Sequence, residues 1–442
     1  MKFLFKVGLV FLVVFNFLVP VIHYSCALAV IIAFFYYIFF KKSLPFTYFF
    51  SRYTFIILAG TLLMALFELM ILTLHGNVGV GFFRRLMVQA WMLVCMVFIL
   101  PILIEKKETA FNEAIVIICS AFALQGLIHT LGFLIPSVGD FIIRFQSPET
   151  KAAIAGGGVI RTFRLYALTG SIFFDLPAAY GVACIMFFRL QLIPGQNYLR
   201  GWKAFVVMLF MLLGIMLSGR TGFIGFGVGL FLYMVYDWAQ TMVIMRNILK
   251  ITGGFLILLV FFYMILTPQQ QKKLTDSVFP FAFEAYYSWR DTGKISTGST
   301  DELIQNHYYS LDTKTIMWGA GGTSYDLQIR RTDAGYMNHF LIGGIFYFLA
   351  LIIYQMVFFV EPMKLAKSER SRNGNINFFC FFLLFAHLFI LEYKGGAIGN
   401  IHIIEVMLLY FGMSYLSEQY ALEDKVEEIA SSEEQLSESA LA

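Results

Sequence analysis

Apolar runs of membrane-crossing length recur along this 442-residue chain, at about 3–22, 25–40, 54–74, 86–105, 111–136, 170–188, 202–219, 222–240, 251–267, 335–360, 378–393 and 398–416. A helix crosses the hydrocarbon core with about 20 apolar residues, and no soluble core could bury that much apolar surface. Composition agrees: 59% of residues are hydrophobic, 50 are Phe, and only 14% are charged, against about 25% in a soluble globular chain. A water-soluble enzyme, a disordered chain and a fibrous one are excluded. The expected fold is an all-α polytopic membrane protein with about 12 transmembrane helices.

Orientation is read from Lys and Arg in the short loops. With the N-terminus inside, 17 of the 32 fall on the inner side, and the short outer loops keep only Arg84, Arg85, Arg220 and Lys394. The remaining outer cations lie in two long segments, about 137–169 and 268–334, where the rule is weak. Both termini are therefore expected in the cytoplasm, with a transmembrane domain over 1–416 and an acidic tail over 417–442. Lys2 and Lys6 before an apolar run resemble a signal peptide, but no small-x-small cleavage site follows, so a retained first helix is expected. Cys26, Cys95, Cys119, Cys184 and Cys380 sit in apolar stretches without metal-like spacing and read as packing residues.

The outer segments concentrate the polar chemistry. Segment 268–334 is too long for a plain connection and rich in Tyr, Trp, Asp and Arg; long loops on a rigid scaffold are where binding and catalysis concentrate. Together the outer segments offer Arg144, Arg161, Arg164, Arg290, Arg330 and Arg331, and Arg220 stands in Ser218-Gly219-Arg220-Thr221-Gly222. A guanidinium is a planar fork that pairs bidentately with phosphate and stays charged. The set suggests an anionic ligand at the outer surface; lipid head-group binding or interfacial anchoring is the plainer alternative. No Asp-x-Asp occurs in these segments, so if the ligand is a phosphate ester, arginines and not a carboxylate-held metal would neutralise it, and no cofactor is expected.

The most specific pattern is Arg330-Arg331-Thr332-Asp333-Ala334-Gly335-Tyr336-Met337-Asn338-His339, followed by a span holding Gly343-Gly344. If helical from Asp333, then Asp333, Tyr336 and His339 fall close to one face, though Asp333 would serve equally as a helix cap and His339 as an interfacial hydrogen-bonding residue. Upstream, Trp318-Gly319-Ala320-Gly321-Gly322 reads as a tight turn. Among ionisable residues in or near spans, Glu68 and Glu405 read as interhelical hydrogen-bonding groups, and Glu392 and Lys394 as a pair at the outer surface.

In this layout the chain resembles the O-antigen and capsular polysaccharide polymerases (Wzy-type), of the superfamily that includes the O-antigen ligases. The resemblance covers the whole chain in architecture and is sharper at Arg161-x-x-Arg164-Leu165-Tyr166, at Ser218 to Gly222, and from Gly319-x-Gly321 to Asp333-x-Gly335-Tyr336. It implies a GT-C-like fold with a large periplasmic loop containing short helices, and a metal-independent glycosyltransferase of the bacterial inner membrane. Undecaprenyl-pyrophosphate-linked repeat units would be polymerised at the periplasmic face into O-antigen or capsular polysaccharide. The implied partners are that lipid-linked glycan, membrane lipids and a chain-length-regulating co-polymerase; no nucleic acid is expected. The ligase branch carries Asn, Ser or Gln after its histidine, whereas Phe340 follows His339 here, which favours polymerase over ligase; a flippase is the reading from another class.

On this reading Arg164, Arg220 and Arg331 face the departing pyrophosphate, with Arg161, Arg290 and Arg330 in support, because preorganised cations aimed at developing charge are usually the largest catalytic term. His339 is the first candidate for the base that takes the proton of the attacking sugar hydroxyl and Asp333 the second. Tyr336, with Tyr286, Tyr287, Trp289, Tyr308 and Tyr309, would hold sugar rings.

Overall fold

The computed structural model describes residues 2–20, 22–41, 52–76, 81–103, 110–146, 166–170, 174–193, 199–236, 263–294, 297–324, 326–368 and 372–396, with isolated positions such as Arg164 between them. It is 83% helical. Four helical stretches are long and apolar enough to cross a membrane, Leu86–Leu103, Phe111–Leu134, Gly335–Lys367 and Asn373–Lys394, and shorter apolar helices join them. Most runs anticipated from the sequence carry helix, several of it shorter than a full crossing; the run at 398–416 lies outside the described residues except for Gly412.

The first run is not one helix. Helix α1 (Lys2–Phe15) stops at Asn16, whose φ is 36°, and the chain turns through a small antiparallel hairpin, β1 (Leu18–Val19) against β2 (His23–Tyr24). Asn tolerates positive φ, and Pro20 brings no N–H to continue a helix. Helices α2 (Ser25–Tyr36), α3 (Arg52–Leu74), α4 (Gly81–Leu103), α5 (Ala110–Leu134) and the short α6 (Pro136–Ile143) follow.

Helix α7 (Asp175–Leu192) is the core element, buried along nearly its whole length. Between α8 (Trp202–Ser218) and α9 (Thr221–Tyr236) lie only Gly219 and Arg220. A methyl on Gly225 of α9 would overlap the backbone of Gly181 in α7, so the two helices touch main chain to main chain. In lipid, where apolar side chains gain little by leaving the tails, such close packing of small residues is what holds helices together.

The long polar segment folds as short pieces: α10 (Pro268–Lys273), α11 (Phe279–Ala282), α12 (Glu284–Thr292), α13 (Gly298–Glu302) and α14 (Thr313–Trp318). Helices α15 (Gly335–Ser368) and α16 (Arg372–Lys394) close the described chain. At 34 residues α15 is about 51 Å long, more than a bilayer core needs. It breaks at Gly343 and Gly344, the latter at φ 64°, a value that favours glycine. The carbonyls freed by the break do not go unpaired. Ala320 N–H donates to Leu341 O at 2.7 Å and Gly321 N–H to Ile342 O at 3.1 Å, so the glycine turn after α14 completes the broken helix. Gly319, at φ 78°, lies against Gly343, where a methyl would meet its amide.

One end of the bundle collects the start of α7, the α8–α9 turn, the start of α15 and the end of α16. At the other, Arg189 from α7 meets Asn112 of α5 and Asn377 of α16, and Tyr236 of α9 donates to Asn375 O. Chain direction therefore alternates between α7, α8, α9, α15 and α16, and Arg164 and the described part of the 268–334 segment lie at the first end.

Candidate functional site

A cavity of about 790 Å³ opens at that first end. Arg220 reaches it because a two-residue link between helices leaves its side chain nowhere to go but the bundle's end. Arg164 enters from the first outer segment, its Nε donating to Ser218 O at 2.7 Å. That carbonyl belongs to the last turn of α8, where helix carbonyls lack intrahelical partners and cations are favoured. Both guanidiniums stand over one ring: Arg220 lies 4.9 Å and Arg164 5.5 Å from the centre of Phe281. Lys394, the last residue of α16, lines the same cavity as Arg220 and Arg164. Three cations from three separate parts of the chain are thus held close together.

Counter-charge is supplied from the long segment. Arg220 is paired with Glu284 of α12 and donates to Ser299 Oγ at 3.1 Å. The other oxygen of Glu284 accepts from Gly298 N–H at 2.8 Å, tying α12 and α13 across the cavity mouth. Asp175, Asp326 and Asp333 also line the wall. Asp326 folds back on its own turn, accepting from Thr323 Oγ1 at 2.7 Å.

His339 lines the cavity from α15 and is almost wholly buried. Its Nε2 lies 3.0 Å from Glu392 Oε2, with 1% and 2% of the two side chains exposed. Its ring also packs beside Tyr347, whose hydroxyl donates to Glu68 Oε2 at 3.1 Å. Glu68 is therefore the interhelical hydrogen-bonding group anticipated for it. Glu392 is not the surface partner of Lys394. Two residues apart on a helix, their side chains point about 200° from each other; one goes to His339 and the other to the arginines.

The sequence-based candidates separate into three sets. Arg164, Arg220, Asp333 and His339 line the cavity. Arg290, Arg330, Arg331 and Tyr336 do not: Arg331 is exposed, Arg290 pairs with its neighbour Asp291 at 2.7 Å, and Arg330 donates to Gln305 O at 2.9 Å over the Tyr309 ring. Tyr336 turns the other way and donates to Phe389 O at 2.7 Å. Arg161 lies outside the described residues. The helix that was to carry Asp333 begins only at Gly335; Asp333 precedes it, exposed, its N–H donating to His307 Nδ1 at 2.8 Å, while Thr332 Oγ1 accepts from Ala334 N–H at 3.1 Å. Thr332 offers the backbone a local hydrogen bond in place of a helical one, so the condition that the helix run from Asp333 is not met.

Of the aromatics proposed for sugar rings, Tyr286 and Trp289 of α12 are more than half exposed. Tyr308 instead stacks on Tyr393 at 4.9 Å and donates to its carbonyl at 2.7 Å, and burial pushes its phenol well above the ordinary tyrosine value. The sequence singles out Glu392 and Lys394, but as each other's partners; it misses Glu284, the counter-charge of Arg220, and nothing local marks that residue.

The cavity can hold an anion between cations, with a buried imidazole and an exposed carboxylate in its wall. No protein-family model, curated protein or solved structure matches the chain.

Proposed function

We propose that this protein is a membrane glycosyltransferase that polymerises polyprenyl-diphosphate-linked glycan units at the outer face of the bacterial inner membrane, as the Wzy-type resemblance implies. The observation that carries the reading is the convergence of Arg164, Arg220 and Lys394 on one cavity beside His339. A hydroxyl of the incoming unit attacks the anomeric carbon of the growing chain. The new C–O bond forms as the bond to the diphosphate oxygen breaks, the electron pair leaving with the diphosphate. Arg164, Arg220 and Lys394 receive that charge. The proton passes to His339, with Asp333 as the second candidate.

A lipid-borne donor is supported by a second feature. Phe279 and Phe283 lie on the opposite face of α11 from Phe281, and with Leu259, Val260 and Tyr263 they line an apolar groove of about 500 Å³. A groove lined by apolar side chains is of a kind that would suit an isoprenoid tail. The break in α15 does not favour transport, since it lies nine residues from one end of the helix and transporter sites sit at helices broken near the midplane.

Purified protein in vesicles, given lipid-linked repeat units, is expected to produce a ladder of longer chains, including in the presence of a chelator. Units left unchanged would overturn the reading. A requirement for a lipid A acceptor would make the protein a ligase, and dependence on added divalent metal would overturn the assignment of the leaving group to cationic side chains.

A further inference from the structure

Of the ion pairs among the described residues, His339–Glu392 is the most deeply buried: its side chains are 1% and 2% exposed, against 16% and 32% for Arg220–Glu284. Burying a carboxylate is costly unless it is hydrogen-bonded or paired, and the way Glu392 is accommodated is specific. Gly335 is the first residue of α15, and a methyl there would overlap Glu392 Oε2 and come within 2.9 Å of both the Glu392 and Gly395 carbonyl oxygens. Gly335 and His339 are four apart, on one face of the helix. The missing side chain at 335 is therefore the notch through which Glu392, from α16, reaches the imidazole one turn on. The adjacent helix start adds a positive dipole end that favours a carboxylate at this spot. Lys394, two residues away, faces the arginines and leaves Glu392 to the histidine.

We propose that Glu392 is the positioning residue for His339, and that Gly335 is glycine in order to admit it. The inference rests on the reading of His339 as the base. A carboxylate can only accept, so Nε2 carries the hydrogen and the ring is held in the tautomer whose lone pair is on Nδ1. Nδ1 is enclosed in this structure, so the step requires the bound sugar to bring its hydroxyl against that atom. When the hydroxyl gives its proton to Nδ1, the ring becomes cationic against Glu392, and the electron pair of the broken anomeric bond departs with the diphosphate. A purely structural tie between α15 and α16 would need neither the charge nor the tautomer.

The test uses full-length protein in vesicles. Glu392→Gln keeps shape and an accepting oxygen but removes the charge, and its amide can also donate, allowing the other tautomer. It is expected to lower kcat for extension at least about tenfold with KM for the lipid-linked unit unchanged, and Gly335→Ala, which displaces the carboxylate while leaving it in the chain, is expected to do the same. A second readout needs no turnover. Nitrogen-15 NMR of histidine-labelled protein, with the His339 signal assigned by its loss in His339→Asn, should show the Nε2–H tautomer in the wild type and a mixture in Glu392→Gln. Wild-type kcat in Glu392→Gln while His339→Asn loses extension would overturn the proposal, as would an Nδ1–H tautomer in the wild type. If the wild type makes no ladder but the tautomer behaves as stated, the positioning stands and the polymerase reading fails.

Discussion

The two ends of the bundle each hold an arginine over a phenylalanine ring, and they use it differently. At one end Arg189 stands 4.4 Å from Phe111, is 2% exposed, and gives hydrogen bonds to Asn377 Oδ1 at 2.8 and 2.6 Å and another to Asn112. At the other, Arg164 and Arg220 stand over Phe281 and face a cavity. Arg189 meets neutral amide oxygens in a sealed pocket at the last turn of α7, where the helix dipole favours a cation; it joins three helices. Arg220 is balanced by a carboxylate from a separate helix at the cavity mouth, where an incoming anion could replace it. Stacking on an aromatic ring does not distinguish a structural arginine from a ligand-binding one. Access does.

That contrast can be broken in order of expected size. Arg220→Ala and Arg164→Ala should each slow chain extension on the order of 10²–10³-fold, the usual cost of deleting one preorganised charge-stabilising donor, with membrane levels of the protein unchanged; near-normal polymer from either variant would remove the cavity from the mechanism. Arg220→Lys should recover little, because an ammonium lacks the planar fork. Arg189→Ala should act the other way round. Leaving Asn112 and Asn377 without their donor, it is expected to cost about 2–3 kcal/mol of stability, read as a lower unfolding temperature, while extension per folded molecule stays within about threefold of normal. Loss of activity in fully stable Arg189→Ala protein would erase the distinction between the ends. The smallest effects belong to Arg290→Ala and Arg331→Ala, exposed and outside the cavity wall; exposed charges are worth little, and each should stay within about twofold in the same assay. A large loss at Arg331 would extend the site beyond the cavity.

Much of this was legible before any coordinates. Hydropathy placed α3, α5, α8 and α9 to within a few residues, and Arg164, Arg220, Asp333 and His339, chosen as site candidates from the sequence, line one cavity. What failed were judgements about direction. Arg330, Arg331 and Asp333 are consecutive or nearly so, yet of the three only Asp333 lines the cavity, because the segment before Gly335 is not helical and neighbouring side chains go to different partners. Glu392 and Lys394 looked like partners by proximity along the chain, whereas a helix separates residues two apart. The Glu284–Arg220 tie spans 64 residues, and no local pattern encodes it.

The seam between the glycine turn and the broken helix has a consequence for how the short helices of the 268–334 segment are held. Its two hydrogen bonds run from main chain to main chain, so side chains contribute only by being small enough to stay out of the way. Sliding the turn by one residue would strand two carbonyls where water is scarce, at several kcal/mol apiece. The seam therefore works as a fixed stop. Whatever substitutions the surrounding polar stretch accepts, the turn after α14 keeps one register against α15.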